Sequence, residues 1–276
     1  MKPIRSRVLN GETLFGCFLN LGSSVTAEIV GQAGFDWVVI DLEHGSGSES
    51  DIVHQLQSLE HTSAAAVVRV ESHERQRFHR VLDLGAHGIM VPRIDSAAQA
   101  QAAVAALNYP PIGVRGVARM NRANGFGGLV SAYSDYAKDS LLGVVQIESP
   151  QSLENVDAIA AVPGVDVLFV GPADLAFSLG IPVDLNHPRF QEAACTIAAA
   201  AEFHGKTAGI LLSQSEDMPQ YMRFGFRFIA CGSDGTFVYR GAQSMLRELR
   251  ASVPLTSENG ALKQPNFMAH KSTSVT

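Results

Sequence analysis

The sequence predicts a (β/α)8 barrel, and three observations carry that expectation. Eight short β-rich runs recur along the chain, stretches of helical length separate them, and most runs are continuously apolar rather than alternating. Continuous apolarity marks strands covered on both faces, as in a parallel sheet wrapped by helices. Eight such units suit a closed barrel. An open doubly wound sheet is the competing arrangement.

The expected strands are Leu14–Asn20, Trp37–Asp41, Ala65–Val70, Gly88–Pro92, Gly143–Glu148, Asp166–Gly171, Thr207–Leu212 and Phe226–Gly232. Helices are expected between them at Ser24–Ala33, Ser48–Glu60, Glu74–Leu84, Ser96–Leu107, Ser149–Ala161, Pro188–His204 and Ser215–Phe224, with Gly241–Ala251 last. Ser48 with Asp51 three residues on reads as a capping box, and Asp95 or Ser96 as an N-cap. Gly34, Gly85, Gly205 and Gly225 stand where helices end, as the left-handed cap position favours. Residues 108–138 do not fit the repeat; their glycines and arginines suggest an ordered functional loop. One barrel domain is expected over 1–253, followed by a polar tail at 254–276.

A net charge of −6 argues against a nucleic-acid partner. Cys17, Cys195 and Cys231 form no C-x-x-C pair, so reduced thiols in the cytoplasm are expected. No run of about 18 apolar residues exists to span a membrane. The basic N-terminus is interrupted by Asn10, Gly11 and Glu12, which does not fit a signal peptide.

In a parallel barrel the strand C-termini converge on one face, where the site is built. The second strand exits into Asp41, Glu43 and His44. The third carries Arg69, the fourth Pro92 and Arg93, and the fifth Gln146, Glu148 and Ser149, while the sixth opens into "GPAD" with Asp174. Glu148 and Asp174 follow consecutive strands, and two converging acids need a proton or cation between them. Oxygen donors suit Mg²⁺ or Mn²⁺; alternatively each acid caps its own helix. His44 is a candidate base, with Asp41 or Asp83 to orient its ring. Arg69 inside an apolar run needs an anionic partner, either ligand or structural acid. If a helix starts at "GPAD", the N–H groups of Ala173 and Asp174 can bind a carboxylate. None of the lysines falls at a strand exit, so a Schiff-base route lacks its nucleophile.

These stretches resemble the HpcH/HpaI aldolases, the metal-dependent class II pyruvate aldolases. The likeness rests on "FDWVVIDLEHG", "VVRV", "HGIMVPRIDSAAQAQAAVAALNYPPIGVRG", "VVQIES" and "VGPADLAFSLG", spread from about Leu14 to Arg240. The resemblance implies a barrel of the phosphoenolpyruvate/pyruvate-binding type, often with the last helix exchanged between subunits in a hexamer. It implies Glu148 and Asp174 as ligands of Mg²⁺, Mn²⁺ or Co²⁺, and His44 as catalytic base supported by Asp41 and Asp83. Arg69 would contact the pyruvate oxygens, Gln146 would lie near the metal waters, and Ala173 with Asp174 would clamp the carboxylate.

The expected reaction is reversible cleavage of a 4-hydroxy-2-oxo acid to pyruvate and an aldehyde through a metal-bound pyruvate enolate. Two related chemistries compete: oxaloacetate decarboxylation as in macrophomate-synthase-like enzymes, and a citrate-lyase-β or malyl-CoA-type thioester lyase. Thioester lyases resemble D-x-E-D where this chain has D-x-E-H, which favours the free oxo acid. A non-catalytic metabolite-binding barrel is the reading from another class. Selection of the aldehyde is expected to lie in the insert at 108–138, with a neighbouring subunit as a second contributor.

Overall fold

The structure is a computed structural model that describes residues 4–253; the predicted tail at 254–276 lies outside the described residues. A short helix α1 (Ile4–Leu9) leads into alternating β1 (Leu14–Leu19), α2 (Ser24–Gln32), β2 (Trp37–Asp41), α3 (Glu49–Leu59), β3 (Ala65–Arg69), α4 (Arg75–Asp83), β4 (Gly88–Val91) and α5 (Ala97–Leu107). After the insert come α6 (Val130–Ser140), β5 (Leu142–Ile147), α7 (Pro150–Glu154), α8 (Val156–Ala160), β6 (Val167–Val170) and α9 (Pro172–Ser178). The remainder is α10 (Pro188–Phe203), β7 (Thr207–Leu212), α11 (Met218–Arg223), β8 (Phe226–Ser233) and α12 (Asp234–Ala251). The strands close into a barrel in the order β1 to β8, each parallel to both neighbours. The open sheet is thereby excluded.

All eight predicted strands form, and the capping box at Ser48 and Asp51 is present. Four features differ from expectation. Helix α1 occupies the basic N-terminus, and α6 ends the insert. The single helix expected at 149–161 breaks at Asn155 into two. The last helix starts at Asp234 rather than Gly241. The chain divides into one compact unit that ends at Val238 and a second that begins at Tyr239. In that second unit α12 exposes Tyr239, Met245, Leu246 and Leu249.

Two apolar cores account for the continuously apolar strands. The outer core lies between strands and helices. The inner core fills the barrel with Leu14, Phe18, Trp37, Val39, Val67, Met90, Val144, Phe169 and Phe228, and Ile4 and Val8 of α1 belong to it. Trp37 stacks on Phe228 with centroids 3.7 Å apart, and Phe169 meets both edge-on. Glycine makes room for these rings: a Cβ on Gly16 would lie 2.3 Å from the Trp37 indole. Helix α1 is tied down by Arg5 Nε, which donates to Asp166 Oδ2 at 2.9 Å.

The insert begins and ends at the N-terminal end of the barrel, because α5 has already returned there from β4. It runs along α4: Arg115 donates to Asp83 at 2.7 Å, Arg75 to the Val114 carbonyl at 3.1 Å, and Arg122 to the Leu84 carbonyl at 2.9 Å. The Arg115 guanidinium is buried and lies over the rings of Tyr109 and Tyr133.

Candidate active site

A simple rule of strand geometry assembles the site. Successive side chains of a strand point to opposite faces. Trp37 and Val39 point into the barrel, so Asp41 does too. By the same alternation Val67 leads to Arg69, Val144 to Gln146 and Glu148, and Phe18 to Asn20. The polar residues therefore continue the inward rows of the apolar core to the mouth. The register makes Asp41 and Arg69 direct cross-strand partners.

Arg69 is 7% exposed and pairs with Asp41 through two parallel bonds, Nε to Oδ1 at 2.8 Å and Nη2 to Oδ2 at 2.7 Å. Its Nη1 lies 3.0 Å from Glu43 and 3.5 Å from Gln146 Oε1. Burial disfavours its charge, but Asp41, Glu43 and Glu148 outweigh burial and raise its pKa. Asn20 donates to Asp41 Oδ2 at 2.7 Å. Asp41 also accepts the backbone amides of Glu43 and His44, at 3.1 and 3.3 Å.

Glu148 is held at both oxygens: Oε1 accepts the Arg93 amide at 2.7 Å and Oε2 the Gln146 side chain at 3.0 Å. Burial raises its pKa to about 7; the Arg93 amide opposes the rise, and Asp174 and Glu43 add to it. Asp174 lies in the first turn of α9, after Gly171 as N-cap and Pro172 at the first helical position. Ser178, at the far end of α9, donates to the Glu148 carbonyl at 2.9 Å. Gly171 sits against the acid, since a Cβ there would come 2.3 Å from Glu148 Oε2.

The residues proposed from sequence separate into three groups. Arg69, Asp41, Gln146 and Glu148 form one bonded cluster, with Asp174 electrostatically coupled to it. Ala173 and Asp174 are exposed on the first turn of α9. His44 and Asp83 stand apart. The His44 ring is 63% exposed and lies 3.8 Å from Glu43. Asp41 does not orient that ring, because its oxygens serve Arg69, Asn20 and backbone amides. Asp83 ends α4 at the N-terminal end of the barrel and pairs with Arg115. Within one chain it does not join the mouth.

Sequence reasoning missed Asn20, Glu43 as the Arg69 partner, the Arg93 amide, and Asp234. Asp234 is buried and accepts the Asn20 amide at 2.8 Å and the Thr26 hydroxyl at 2.7 Å, joining the β8 exit to the β1 exit. Asn20, Glu43 and Asp234 were readable as polar residues at strand exits; the Arg93 amide contact has no local signal. Lys206, whose pKa burial lowers, precedes β7 at the end opposite the mouth. A cavity of about 600 Å³ between α3, the insert and α6 also lies away from these acids.

The residues fit a hard divalent cation. Glu148 is a buried acid whose charge a cation would offset, and Asp174 is a second oxygen donor coupled to it. Two carboxylates leave positions for water and substrate. Among the described residues no group of three or more His, Cys, Asp or Glu is placed to hold a metal.

A parallel barrel with a buried arginine and paired acids at its strand exits defines a barrel enzyme. Comparison makes it a carbon–carbon lyase. The chain belongs to the HpcH/HpaI aldolase/citrate lyase family, whose sequence profile matches residues 14–240. It is 42% identical over 255 residues to a hydroxypyruvate/pyruvate aldolase of Paraburkholderia phytofirmans, covering 90% of this chain and 98% of that one. It is also 42% identical to a 5-keto-4-deoxy-D-glucarate aldolase of Klebsiella pneumoniae, covering 84% and 90%. A crystal structure of an HpcH/HpaI aldolase/citrate lyase family protein from Burkholderia cenocepacia superposes with a TM-score of 0.86 at 37% identity, covering 91% of this chain and all of that one.

Proposed function

We propose that this aldolase cleaves a 4-hydroxy-2-oxo acid reversibly to pyruvate and an aldehyde, with a divalent cation, Mg²⁺, Mn²⁺ or Co²⁺, held by Glu148 and Asp174. One observation carries the reading: a buried carboxylate, gripped at both oxygens and electrostatically coupled to a second acid, lies beside a buried guanidinium. When bound, the cation supplies Lewis-acid stabilisation of charge developing on the 2-oxo oxygen. Arg69 adds a fixed positive contact there; its bonds to Asp41 and Glu43 hold it without reorganisation during the reaction. The Ala173 and Asp174 amides bind the substrate carboxylate. His44 takes the 4-hydroxyl proton in cleavage and returns it in condensation. Its exposure suits a group that meets the substrate from the rim.

We propose that aldehyde selection involves more than one chain. Asp83 ends α4 at the end opposite the mouth, so it would reach a mouth from a second copy, while the insert lies along α4 and bonds Arg75 at the start of that helix. The exposed apolar residues of α12 support packing on another copy, consistent with a hexamer that exchanges its last helix. The three free thiols suit the reducing cytoplasm, and no helix among the described residues is long and apolar enough to cross a membrane.

The test is proton exchange. Pyruvate methyl protons should exchange with D₂O only when protein and divalent cation are both present, and chelation should stop the exchange. Borohydride with pyruvate should trap no adduct. Exchange that survives chelation, or a trapped amine adduct, refutes the reading.

A further inference from the structure

The backbone bond to Glu148 comes from an unusual place. Arg93 donates it from a left-handed conformation, φ 49°. Side chains with a Cβ rarely adopt that region, and such strain persists only where surrounding structure imposes it. Among the described residues one other non-glycine, Phe126 in the insert, shares it.

The surroundings show what imposes it. His73, in the loop after β3, lies with Nε2 2.6 Å from the carbonyl oxygen of Pro92, the residue just before Arg93. A carbonyl only accepts, so Nε2 carries the proton. On the other side of the turn the Ile94 amide donates to the Gln146 carbonyl at 3.2 Å. Beyond it, the Asp95 side chain accepts the Ser149 hydroxyl and its carbonyl accepts Asn155 Nδ2 at 2.9 Å. The β4 exit is thus fixed to the β3 exit on one side and the β5 exit on the other. The Arg93 side chain itself is exposed; the amide makes the contact to Glu148.

We propose that His73 and Arg93 are positioning residues for Glu148. The imidazole clamps the Pro92 carbonyl, the clamp holds Arg93 left-handed, and the left-handed turn aims its amide at Oε1. With Gln146 on Oε2, the carboxylate is fixed before any ligand arrives. This rests on Glu148 being a cation ligand, as proposed above. Partners behind a ligand typically account for about 10–100-fold in metal affinity.

The test measures Mn²⁺ binding to the whole protein without substrate, by the electron paramagnetic resonance of free Mn²⁺. His73→Ala should weaken binding by roughly 10-fold or more, and His73→Gln, which keeps an N–H donor, should recover much of it. Glycine takes positive φ unaided, so Arg93→Gly should bind at least as tightly as wild type and should rescue His73→Ala. Arg93→Val also removes the guanidinium, but a β-branched residue resists this region; it should bind weakly. The Gly and Val pair reads the turn even if His73→Ala does not fold. Equal affinity in Arg93→Gly and Arg93→Val, or wild-type affinity in His73→Ala, overturns the proposal while leaving the cation site standing. Wild-type protein that binds no Mn²⁺ overturns both.

Discussion

Gly171→Ala tests whether the position of Glu148 is what the mouth is built to secure. Gly171 has φ −86°, a conformation alanine accepts, so backbone strain does not arise. The added Cβ would lie 2.3 Å from Glu148 Oε2 and 3.2 Å from Gln146 Nε2. A carbon–oxygen contact needs about 3.4 Å, so the carboxylate must retreat by roughly 1 Å. It cannot retreat freely, since Arg93 and Gln146 hold it. A displacement of about 1 Å in a catalytic constellation costs on the order of 100-fold in rate, or about 2.7 kcal/mol of transition-state stabilisation. The assay is kcat/KM for pyruvate release from a 4-hydroxy-2-oxo acid, alongside pyruvate methyl exchange and a thermal melt. Both rates should fall together by about 100-fold, and overpacking at this buried position should lower the melting temperature as well. Activity within about threefold of wild type would refute the claim that Glu148 must stay where it is.

Arg69→Ala removes the bidentate partner of Asp41, whose side chain is fully buried. It should cost about 3–5 kcal/mol in urea unfolding and abolish methyl exchange; retained exchange would remove Arg69 from the chemistry. Gly16→Ala drives a methyl into the Trp37 ring and should cost about 1–3 kcal/mol; a wild-type unfolding midpoint would contradict the inner-core packing. Alkaline pH should destabilise the fold. Burial raises Cys17, Tyr109 and Tyr136 to about 12 each, and raises Tyr133 and Tyr221 as well. Raised folded pKa values mean the unfolded chain loses these protons first. Stability is therefore complete below about pH 9 and falls as pH climbs toward 12; tyrosinate absorbance should lag in native protein and jump on unfolding. A titration of native protein that matches the urea-unfolded chain would contradict the burial.

The architecture was legible because it depends on local pattern. Eight apolar runs, their spacing and the glycines at helix ends are chain-local signals, and each run became a strand. The long insert is ordered, as its glycines and arginines suggest. Two of its arginines, Arg115 and Arg122, anchor it to Asp83 of α4 and to Glu60 at the end of α3. Which end of the barrel a loop starts and finishes at follows from counting strand and helix passes, and that count puts both ends of the insert at the N-terminal end of the barrel. The acid pair and Arg69 were legible as charges out of keeping with apolar surroundings. Asp83 was named for the site and stands elsewhere in the chain.

The sequence by itself determined the eight strand–helix units and the charged residues at the strand exits, because strand periodicity and strand exits are properties of neighbours in the chain; closure of the sheet was decided by the tertiary structure. Only the tertiary structure decided who holds whom: Asp41 on Arg69 rather than on His44, the Arg93 amide on Glu148, and His73 on Pro92. These bonds join residues from different strands across the barrel mouth. Their geometry depends on barrel closure and register, which no short stretch of chain encodes.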